Sequence, residues 1–270
     1  MRPVTASTRV AGLIGHPVEH SLSPVIHNAA YEALDLDWVY VALPVAPGAA
    51  SQVVRSAGIM GIVGLSVTMP HKAPAARAVD RLTPIAERLG VVNTVTVTDD
   101  GLEGDSTDGP GFIASIRAEG IEPAGMAVAV IGTGGAARAV IDAMATAGAS
   151  TIAMIGRTAD NADRDDIVGA DLIVNATPVG MEGGPDPHGL AVDPPLLSAN
   201  QVVVDLVYRP AITPTLAAAR DTGCTVVGGL GMLVHQAALQ IERWSGKSPP
   251  LAAMADAAAT ALAGGTRRTR

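Results

Sequence analysis

A glycine-containing segment near the middle of the chain constrains its fold more than any other stretch. Residues 127–139 read AVAVIGTGGAARA, in which an apolar run is followed by a glycine turn and an alanine-rich stretch. This order predicts a buried strand over Ala127–Ile131 and a helix that begins at Gly135. A strand, a glycine turn and a helix in that order can bind the pyrophosphate of a dinucleotide, because N–H groups at the helix N-terminus point at the phosphates.

Small residues within the turn support this interpretation. Gly132 permits the tight turn, Gly134 lets the backbone approach a pyrophosphate, and Ala137 lets the helix pack closely on the strand. A purely structural glycine turn would show the same residues, but a second predicted strand over residues 151–156 favours a nucleotide-binding βαβ unit. We therefore predict cofactor contacts from Gly132, Gly134, Gly135 and Ala136.

Composition and charge argue against several classes of protein. The chain has 270 residues, 48% hydrophobic and 16% charged, which is enough for two modest domains with buried cores. A formal net charge of −8 argues against a nucleic-acid binder, since no basic stripe is available to displace phosphate counterions. Cys224 is the only cysteine, so no intrachain disulfide can form and a cytoplasmic location is expected. No apolar run approaches the roughly 18 residues of a membrane span, which predicts a protein without a membrane partner.

The first part of the chain alternates between strand and helix patterns. Strands are predicted over Arg9–Gly15, 38–45 and 61–68, with a helix over 46–57 between the last two. This alternation predicts an open parallel layer, whose ligands gather at the carboxyl ends of its strands. A fourth strand is predicted over residues 91–98.

Two serines lie where the first of these helices begins. Ser23 precedes Pro24, which predicts a helix start with the serine as N-cap and the proline in the first turn. The hydroxyls of Ser21 and Ser23 can together hold a carboxylate, although turn and cap roles alone would also explain both residues.

Three histidines in the same segment do not predict a metal site. His16, His20 and His27 cannot align on one helix, because Pro17 and the turn over residues 21–24 interrupt it.

A lysine and an aspartate follow two of the predicted strands. Thr68 and Lys72 lie at the carboxyl end of the third strand, with Pro70 in the turn between them, and Asp108 precedes a helix predicted over 111–118. Taken singly, Lys72 is a common type of solvated charge and Asp108 a common helix cap. Together they form a pair that can pass a proton to an alkoxide, with the carboxylate orienting the lysine.

Eight motifs, in their order and spacing, resemble those of the shikimate dehydrogenase family. An ordered set is far more specific than any one motif, and the resemblance runs from about residue 9 to residue 262. The motifs are residues 15–28, 64–72, 92–95, 104–111, 132–138, 175–181 (NATPVGM), 205–214 and 229–246.

The resemblance implies a reaction and a set of roles. The reaction is NADPH-dependent reduction of 3-dehydroshikimate to shikimate, a step towards chorismate and the aromatic amino acids. Lys72 matches the catalytic lysine with Asp108 as its partner, and Ser21 and Ser23 match residues that bind the substrate carboxylate. Other matches contact the ring hydroxyls, close the pocket or border the nicotinamide. The residues that match contacts to the ring hydroxyls or close the pocket are Thr68, Asn93, Asp108, Tyr208 and Gln236. The residues that match positions bordering the nicotinamide are Leu206 and Gly229.

The cofactor preference is predicted from the end of the strand over 151–156. NAD enzymes usually place an acidic residue there to accept hydrogen bonds from the ribose 2′-hydroxyl. This chain has Arg157, whose guanidinium can pair with a 2′-phosphate, and Thr158 can add a hydroxyl donor. Asp160 argues in the opposite direction. We expect NADP(H) to be preferred, with NAD(H) used less well.

The chain departs from the family pattern at several positions. Serine stands at 66 and 106, where the family more often has asparagine, and a hydroxyl keeps only part of the hydrogen bonding of an amide. Gly156 and Asn161 replace an asparagine and a frequent arginine beside the predicted 2′-phosphate site. Residues 158–171 leave room for one short helix, where the family usually has a helix and another strand.

The predicted fold is two α/β domains with the active site in the cleft between them. The substrate-binding open sheet comprises residues 1–101 plus 231–270, and the dinucleotide-binding Rossmann domain comprises 102–230. The helix after residue 231 is expected to bury a stripe that includes Gln240, with Gln236 facing the cleft. Expected partners are a small-molecule substrate and the cofactor, and the chain is expected to be a monomer or a homodimer.

Two further readings of the function remain open at this point. Quinate or aminoshikimate can replace shikimate as the substrate, since they differ at one ring position. The second alternative is a nucleotide-binding regulator with an inactive site, but such a regulator would have no need of both Lys72 and Asp108.

Overall fold

The computed structural model describes residues 3–156 and 161–265. They divide into two compact units, one built from the described residues up to Thr107 and from Val234 onward, the other from Asp108–Leu233. No helix within these described ranges is long and apolar enough to cross a membrane.

The first unit is a six-stranded sheet with helices. Its strands are β1 (Arg9–Gly15), β2 (Trp38–Pro44), β3 (Ile62–Val67), β4 (Arg81–Leu82), β5 (Thr94–Thr98) and β6 (Gly101–Asp105). Its helices are α1 (Ser23–Ala33), α2 (Ala50–Ile59), α3 (Lys72–Ala76), α4 (Pro84–Leu89), the end of α9 (Leu230–Ser245) and α10 (Leu251–Gly265).

The sheet of the first unit is mixed rather than parallel throughout. The strand order is β2-β1-β3-β5-β6-β4, and β1 is parallel to both β2 and β3. The predicted parallel layer is thus correct for three strands, but β5 runs antiparallel to β3 and to β6. Strand β6 was not expected. It forms through a tight hairpin, in which Gly101 has a φ of 113° and pairs with Thr98. The domain boundary predicted after residue 101 falls inside this hairpin, after the first residue of β6.

A close approach between β3 and α9 holds α9 on this sheet. A Cβ atom at Gly64 would lie 2.2 Å from Nε1 of Trp244, so the indole occupies the space that a side chain would take. The same Nε1 donates a hydrogen bond of 3.2 Å to the backbone carbonyl of Val95. The contact fixes the position of the polar residues on the preceding turns of α9.

The second unit is an all-parallel sheet with helices and has the predicted dinucleotide-binding architecture. Its strands are β7 (Ala127–Ile131), β8 (Thr151–Ile155), β9 (Leu172–Asn175), β10 (Val202–Asp205) and β11 (Thr225–Gly228), in the order β11-β10-β9-β7-β8. Its helices are α5 (Asp108–Ala118), α6 (Gly135–Thr146), α7 (Asn161–Gly169) and α8 (Pro214–Thr222), with a 3-10 turn at Pro194–Leu196. Strand β7 and the start of α6 have the predicted bounds.

Two apolar clusters form the core of the second unit. One includes Phe112, Val130 and Val140, and the other includes Ile131, Ile173 and Leu216. Neighbouring residues of β7 enter different clusters because successive side chains of a strand point to opposite faces. Both faces of the sheet are therefore covered, as expected for a parallel sheet.

Candidate active site

Two serine hydroxyls meet at the start of α1. Ser23 is the first residue of the helix and Leu22 occupies the N-cap position with no side-chain cap bond, so the predicted capping role of Ser23 is wrong. The hydroxyl of Ser21 instead accepts the Ser23 backbone N–H at 3.2 Å and donates to Ser23 Oγ at 3.2 Å. Ser23 is buried and Ser21 half-buried. The structure thus brings together the two residues predicted to bind a carboxylate.

The turn after β3 carries Thr68 and Lys72. The Thr68 carbonyl accepts the His71 N–H at 2.9 Å, and Lys72 is the first residue of α3. The ring of His71 is buried, and its Nε2 lies 2.8 Å from the backbone carbonyl of Val45. Because a carbonyl can only accept, this nitrogen carries the proton. The histidine therefore anchors the turn that presents the half-buried Lys72.

A buried polar network contains Asn93 and Gln236. Asn93 Oδ1 accepts the backbone N–H of Thr107 at 2.8 Å. Asn93 Nδ2 lies 3.0 Å from Thr107 Oγ1 and 3.3 Å from Gln236 Oε1. These two predicted substrate contacts are 143 positions apart in the sequence and meet in the first unit.

The network continues through Gln240 to β3 and β2. Gln240 Nε2 lies 3.1 Å from Gln236 Oε1 and 3.0 Å from Thr94 Oγ1. Gln240 Oε1 accepts from Ser66 Oγ at 2.7 Å, and Tyr40 donates to the same Ser66 oxygen at 2.6 Å. Gln240 was expected to be a member of an apolar stripe. It is buried as expected, but its side chain is fully engaged in polar contacts.

His27 packs under this network and is held neutral. Its ring stacks on Tyr40 with centroids 3.9 Å apart, and its Nδ1 donates to the Ser23 carbonyl at 2.9 Å. Burial lowers the pKa of His27 from 6.5 to about 4. The same burial raises the pKa of the Tyr40 phenol, which therefore stays protonated and able to donate.

Asp108 and Tyr208 belong to the second unit. Asp108 is the buried first residue of α5, where a carboxylate is favoured by the helix dipole. Tyr208 follows β10 and is partly buried, which raises the pKa of its phenol.

The glycine turn after β7 has the geometry of a phosphate site. Gly132 adopts a φ of 123°, and a Cβ atom there would lie 3.0 Å from the Ala176 carbonyl oxygen. Gly134 is the N-cap of α6, which has no side-chain cap bond, and a Cβ atom on it would project into open space. The first N–H groups of the helix, those of Gly135 and Ala136, have no intrahelical acceptor. The residues present therefore fit a pyrophosphate.

Leu206 and Gly229 approach each other closely beyond the ends of β10 and β11. A Cβ atom at Gly229 would lie 2.2 Å from the Leu206 carbonyl oxygen, so only glycine fits without a shift of backbone. The structure thus brings together the two residues predicted to border the nicotinamide.

A buried carboxylate supports this region. Asp205 is fully buried and accepts hydrogen bonds from Asn175 Nδ2 at 2.9 Å, Thr213 Oγ1 at 2.6 Å and the Val207 N–H at 3.0 Å. Burial raises the pKa of Asp205, against the opposing effect of these three donors. Asn175 and Asp205 begin two of the eight motifs, but nothing in the sequence predicted that their side chains bond to each other.

Two predicted cofactor contacts, Arg157 and Thr158, lie outside the described residues, as does Asp160. They follow β8, which forms the edge of the sheet in the second unit. One helix, α7, lies in the described segment between Asn161 and β9, as the short spacing predicted.

No cluster of three or more histidine, cysteine or acidic side chains suited to a metal ion occurs within residues 3–156 and 161–265.

Comparisons with known proteins match almost the whole chain to one family. The family model for the shikimate dehydrogenase substrate binding domain matches residues 13–95, and that for the shikimate 5′-dehydrogenase C-terminal domain matches residues 229–259. The NADP⁺ shikimate dehydrogenase of Methanopyrus kandleri is 43% identical, over 94% of this chain and 96% of the relative.

This chain belongs to the shikimate dehydrogenase family.

Solved structures of the family have the same fold. A shikimate dehydrogenase in complex with NADP⁺ superposes with a TM-score of 0.89 at 34% identity, covering 96% of this chain and 98% of that one. The Listeria monocytogenes shikimate 5-dehydrogenase, in complex with shikimate and NAD, gives a TM-score of 0.86 at 32% identity, covering 95% and 98%.

The two serines that depart from the family pattern are both buried. The Ser66 hydroxyl accepts a hydrogen bond from Tyr40 and donates one to the side-chain amide oxygen of Gln240 on α9. Ser106 Oγ is a buried atom that has no hydrogen-bond partner within the described part of the chain.

Proposed function

We propose that this chain catalyses the reversible, NADP-dependent reduction of 3-dehydroshikimate to shikimate. The observation that carries the proposal is the retention of Lys72 and Asp108 in a chain that matches a curated shikimate dehydrogenase over 94% of its length. An inactive nucleotide-binding regulator would have no use for that pair.

Lys72 is the proton donor of this proposal. In the direction of reduction its ammonium group gives a proton to the ketone oxygen as that oxygen gains negative charge, and in the reverse direction the amine removes the proton of the hydroxyl. Asp108 orients the ammonium group and stabilises its charge. NADPH, when bound, supplies the hydride that adds to the carbonyl carbon, so the ketone gains one hydride and one proton.

The substrate is held by neutral side chains of the first unit. The hydroxyls of Ser21 and Ser23 donate to the carboxylate of the substrate, which lies away from the reacting carbon. Four further side chains contact the ring hydroxyls or close the pocket, namely Thr68, Asn93, Tyr208 and Gln236. The adjacent Oγ atoms of Ser21 and Ser23, and the Asn93–Gln236 contact, support these roles.

The second unit holds the cofactor in this proposal. The turn from Gly132 to Ala136 binds the pyrophosphate, and Leu206 and Gly229 border the nicotinamide. Arg157 and Thr158 bind the 2′-phosphate and favour NADP(H) over NAD(H). If Arg157 carries this preference, Arg157→Ala will lower the ratio of kcat/KM for NADP⁺ to that for NAD⁺, and an unaltered ratio would contradict it.

We assign the substrate-binding role to the first unit, predicted as residues 1–101 plus 231–270, and the dinucleotide-binding role to the second unit, predicted as residues 102–230. A cytoplasmic location and small-molecule partners fit a biosynthetic reaction of this kind. Sedimentation of the purified chain would distinguish a monomer from a homodimer.

Steady-state kinetics of the purified protein test the function. Shikimate, quinate and aminoshikimate would each be assayed with NADP⁺ and with NAD⁺, using Lys72→Ala as the background control. We expect the highest kcat/KM for shikimate with NADP⁺. A higher value for quinate or aminoshikimate would reassign the substrate, and no turnover above the control with any pair would indicate an inactive regulator.

A further inference from the structure

The orientation of the Asn93 amide is fixed by a backbone group. The Thr107 N–H can only donate, and it lies 2.8 Å from the Asn93 side chain, so that atom is the carbonyl oxygen. The other amide atom, Nδ2, is therefore a donor, and it lies 3.3 Å from Gln236 Oε1.

A backbone group fixes Gln240 in the same way. The carbonyl oxygen of Asn93 can only accept, and it lies 3.4 Å from the Gln240 amide, so that atom is Nε2. This nitrogen also lies 3.1 Å from Gln236 Oε1. Gln240 Oε1, on the other side, accepts from Ser66, whose oxygen accepts from Tyr40.

Gln236 thus meets two N–H donors with a single amide atom, which must be its oxygen. Turned by 180°, the Gln236 amide would direct its own N–H groups at Asn93 Nδ2 and Gln240 Nε2, which is repulsive. In this orientation Gln236 Oε1 faces Asn93 and Gln240, and Nε2 is the amide atom that can donate to a substrate oxygen.

We propose that Gln240 is a positioning residue, which holds Gln236 with its oxygen turned inward so that its N–H donors meet the substrate. The proposal rests on the proposed function, in which Gln236 contacts the substrate. Gln240 lies one helical turn after Gln236 on α9 and is 1% exposed, so it acts through its neighbour and not by touching the ligand.

Packing alone does not explain a glutamine at this position. Burying an amide is unfavourable unless its polar atoms are paired, and an apolar side chain of the same size would fill the space at lower cost. Every polar atom of Gln240 has a partner in the network, and Ser66 is small enough to leave room for its amide.

The substitution Gln240→Glu tests the proposal because it changes donor capacity and hardly changes shape. Once ionised, at the upper end of the assay pH range, the introduced carboxylate cannot donate to Gln236 Oε1 and repels it. The Gln236 amide then keeps only Asn93 Nδ2 of the two donors that hold its orientation, and its oxygen can turn to the substrate. We expect KM for shikimate to rise about tenfold, as for the loss of one hydrogen bond, with KM for NADP⁺ unchanged. Lowering the pH should reverse the rise, because the protonated carboxyl group can again donate.

Gln201→Glu is the matched control. Gln201 is 3% exposed and belongs to the second unit, where its amide donates to the backbone carbonyls of Ile167 and Ala170 at 2.9 Å each. The control should lose stability without a selective change in KM for shikimate. Should Gln240→Glu fail to fold, Gln240→Met should give the same rise in KM with no recovery at low pH.

Three results would overturn the inference: an unchanged KM for shikimate, equal changes in both KM values, or the same selective rise in Gln201→Glu. These failures are separate from failure of the proposed function. A wild-type protein that neither binds nor turns over shikimate overturns both, whereas an active wild type with an unaffected Gln240→Glu variant overturns the inference alone.

Discussion

At the scale of single residues, the two serines at the start of α1 have different expected effects on binding and on stability. Ser21→Ala and Ser23→Ala should both raise KM for shikimate more than they lower kcat, because a remote carboxylate is bound alike in the ground and transition states. Only Ser21→Ala should cost about 1 kcal/mol of unfolding free energy, since Ser21 Oγ accepts the Ser23 N–H and Ser23 caps nothing. Steady-state kinetics and urea unfolding measure the two effects.

Ser56→Ala is a control for this pair, because Ser56 is half-buried on α2 and its hydroxyl donates to the Gln52 carbonyl of the same helix. An unchanged KM for shikimate in both Ser21→Ala and Ser23→Ala would show that the serines have only structural roles.

The buried His27 should make stability depend on pH. Its pKa in the folded protein is about 4 and its ordinary value is 6.5, so below 6.5 the unfolded chain binds a proton that the folded chain does not. The contribution of His27 therefore destabilises the fold progressively as the pH falls from 6.5 towards 4, by up to about 1.4 kcal/mol per pH unit. Urea unfolding of the wild type and of His27→Gln between these pH values measures the difference in slope.

Identical slopes for His27→Gln and the wild type would show that His27 is not held neutral by the fold.

At the scale of elements, the glycine turn between β7 and α6 should separate folding from cofactor binding. A Cβ atom at Gly134 meets no protein atom within 4 Å, so Gly134→Ala should fold normally. The added methyl group would occupy the space where the pyrophosphate approaches the backbone, and KM for NADP⁺ should rise with KM for shikimate unchanged. Kinetics and thermal unfolding of the variant test both statements.

Gly169→Ala, at the end of α7, matches this variant because a Cβ atom there also meets no protein atom within 4 Å. It should change neither KM. Equal effects of the two substitutions on cofactor KM would argue against the phosphate site.

Local patterns predicted local elements, and long-range pairing decided the rest. Strand β7 and helix α6 could be predicted because strand, turn and helix signals are contiguous in sequence. Strand β6 could not, because GLEGD has glycine and acidic residues that disfavour strands, and pairing with β5 overrides that preference. The site shows the same limit, since the spacing of Gln236 and Gln240 indicates one helix face but not that Gln240 meets Ser66, 174 positions earlier.

At the scale of the whole molecule, the chain builds its first unit from both ends. Helix α10 packs on α1, and α9 supplies Gln236 and Gln240 to a network that also contains Asn93. The substrate-binding part of the proposed site therefore needs residues that come after the second unit in the sequence. The central catalytic claim is that Lys72, oriented by Asp108, donates the proton.

The turnover of Lys72→Ala with shikimate and NADP⁺ tests that claim most directly. Removing the proton donor should lower kcat by about 10²- to 10⁴-fold while KM for shikimate changes little, because the proton is needed mainly in the transition state. Circular dichroism would establish that the variant is folded. Near-normal kcat in a folded Lys72→Ala protein would contradict the account.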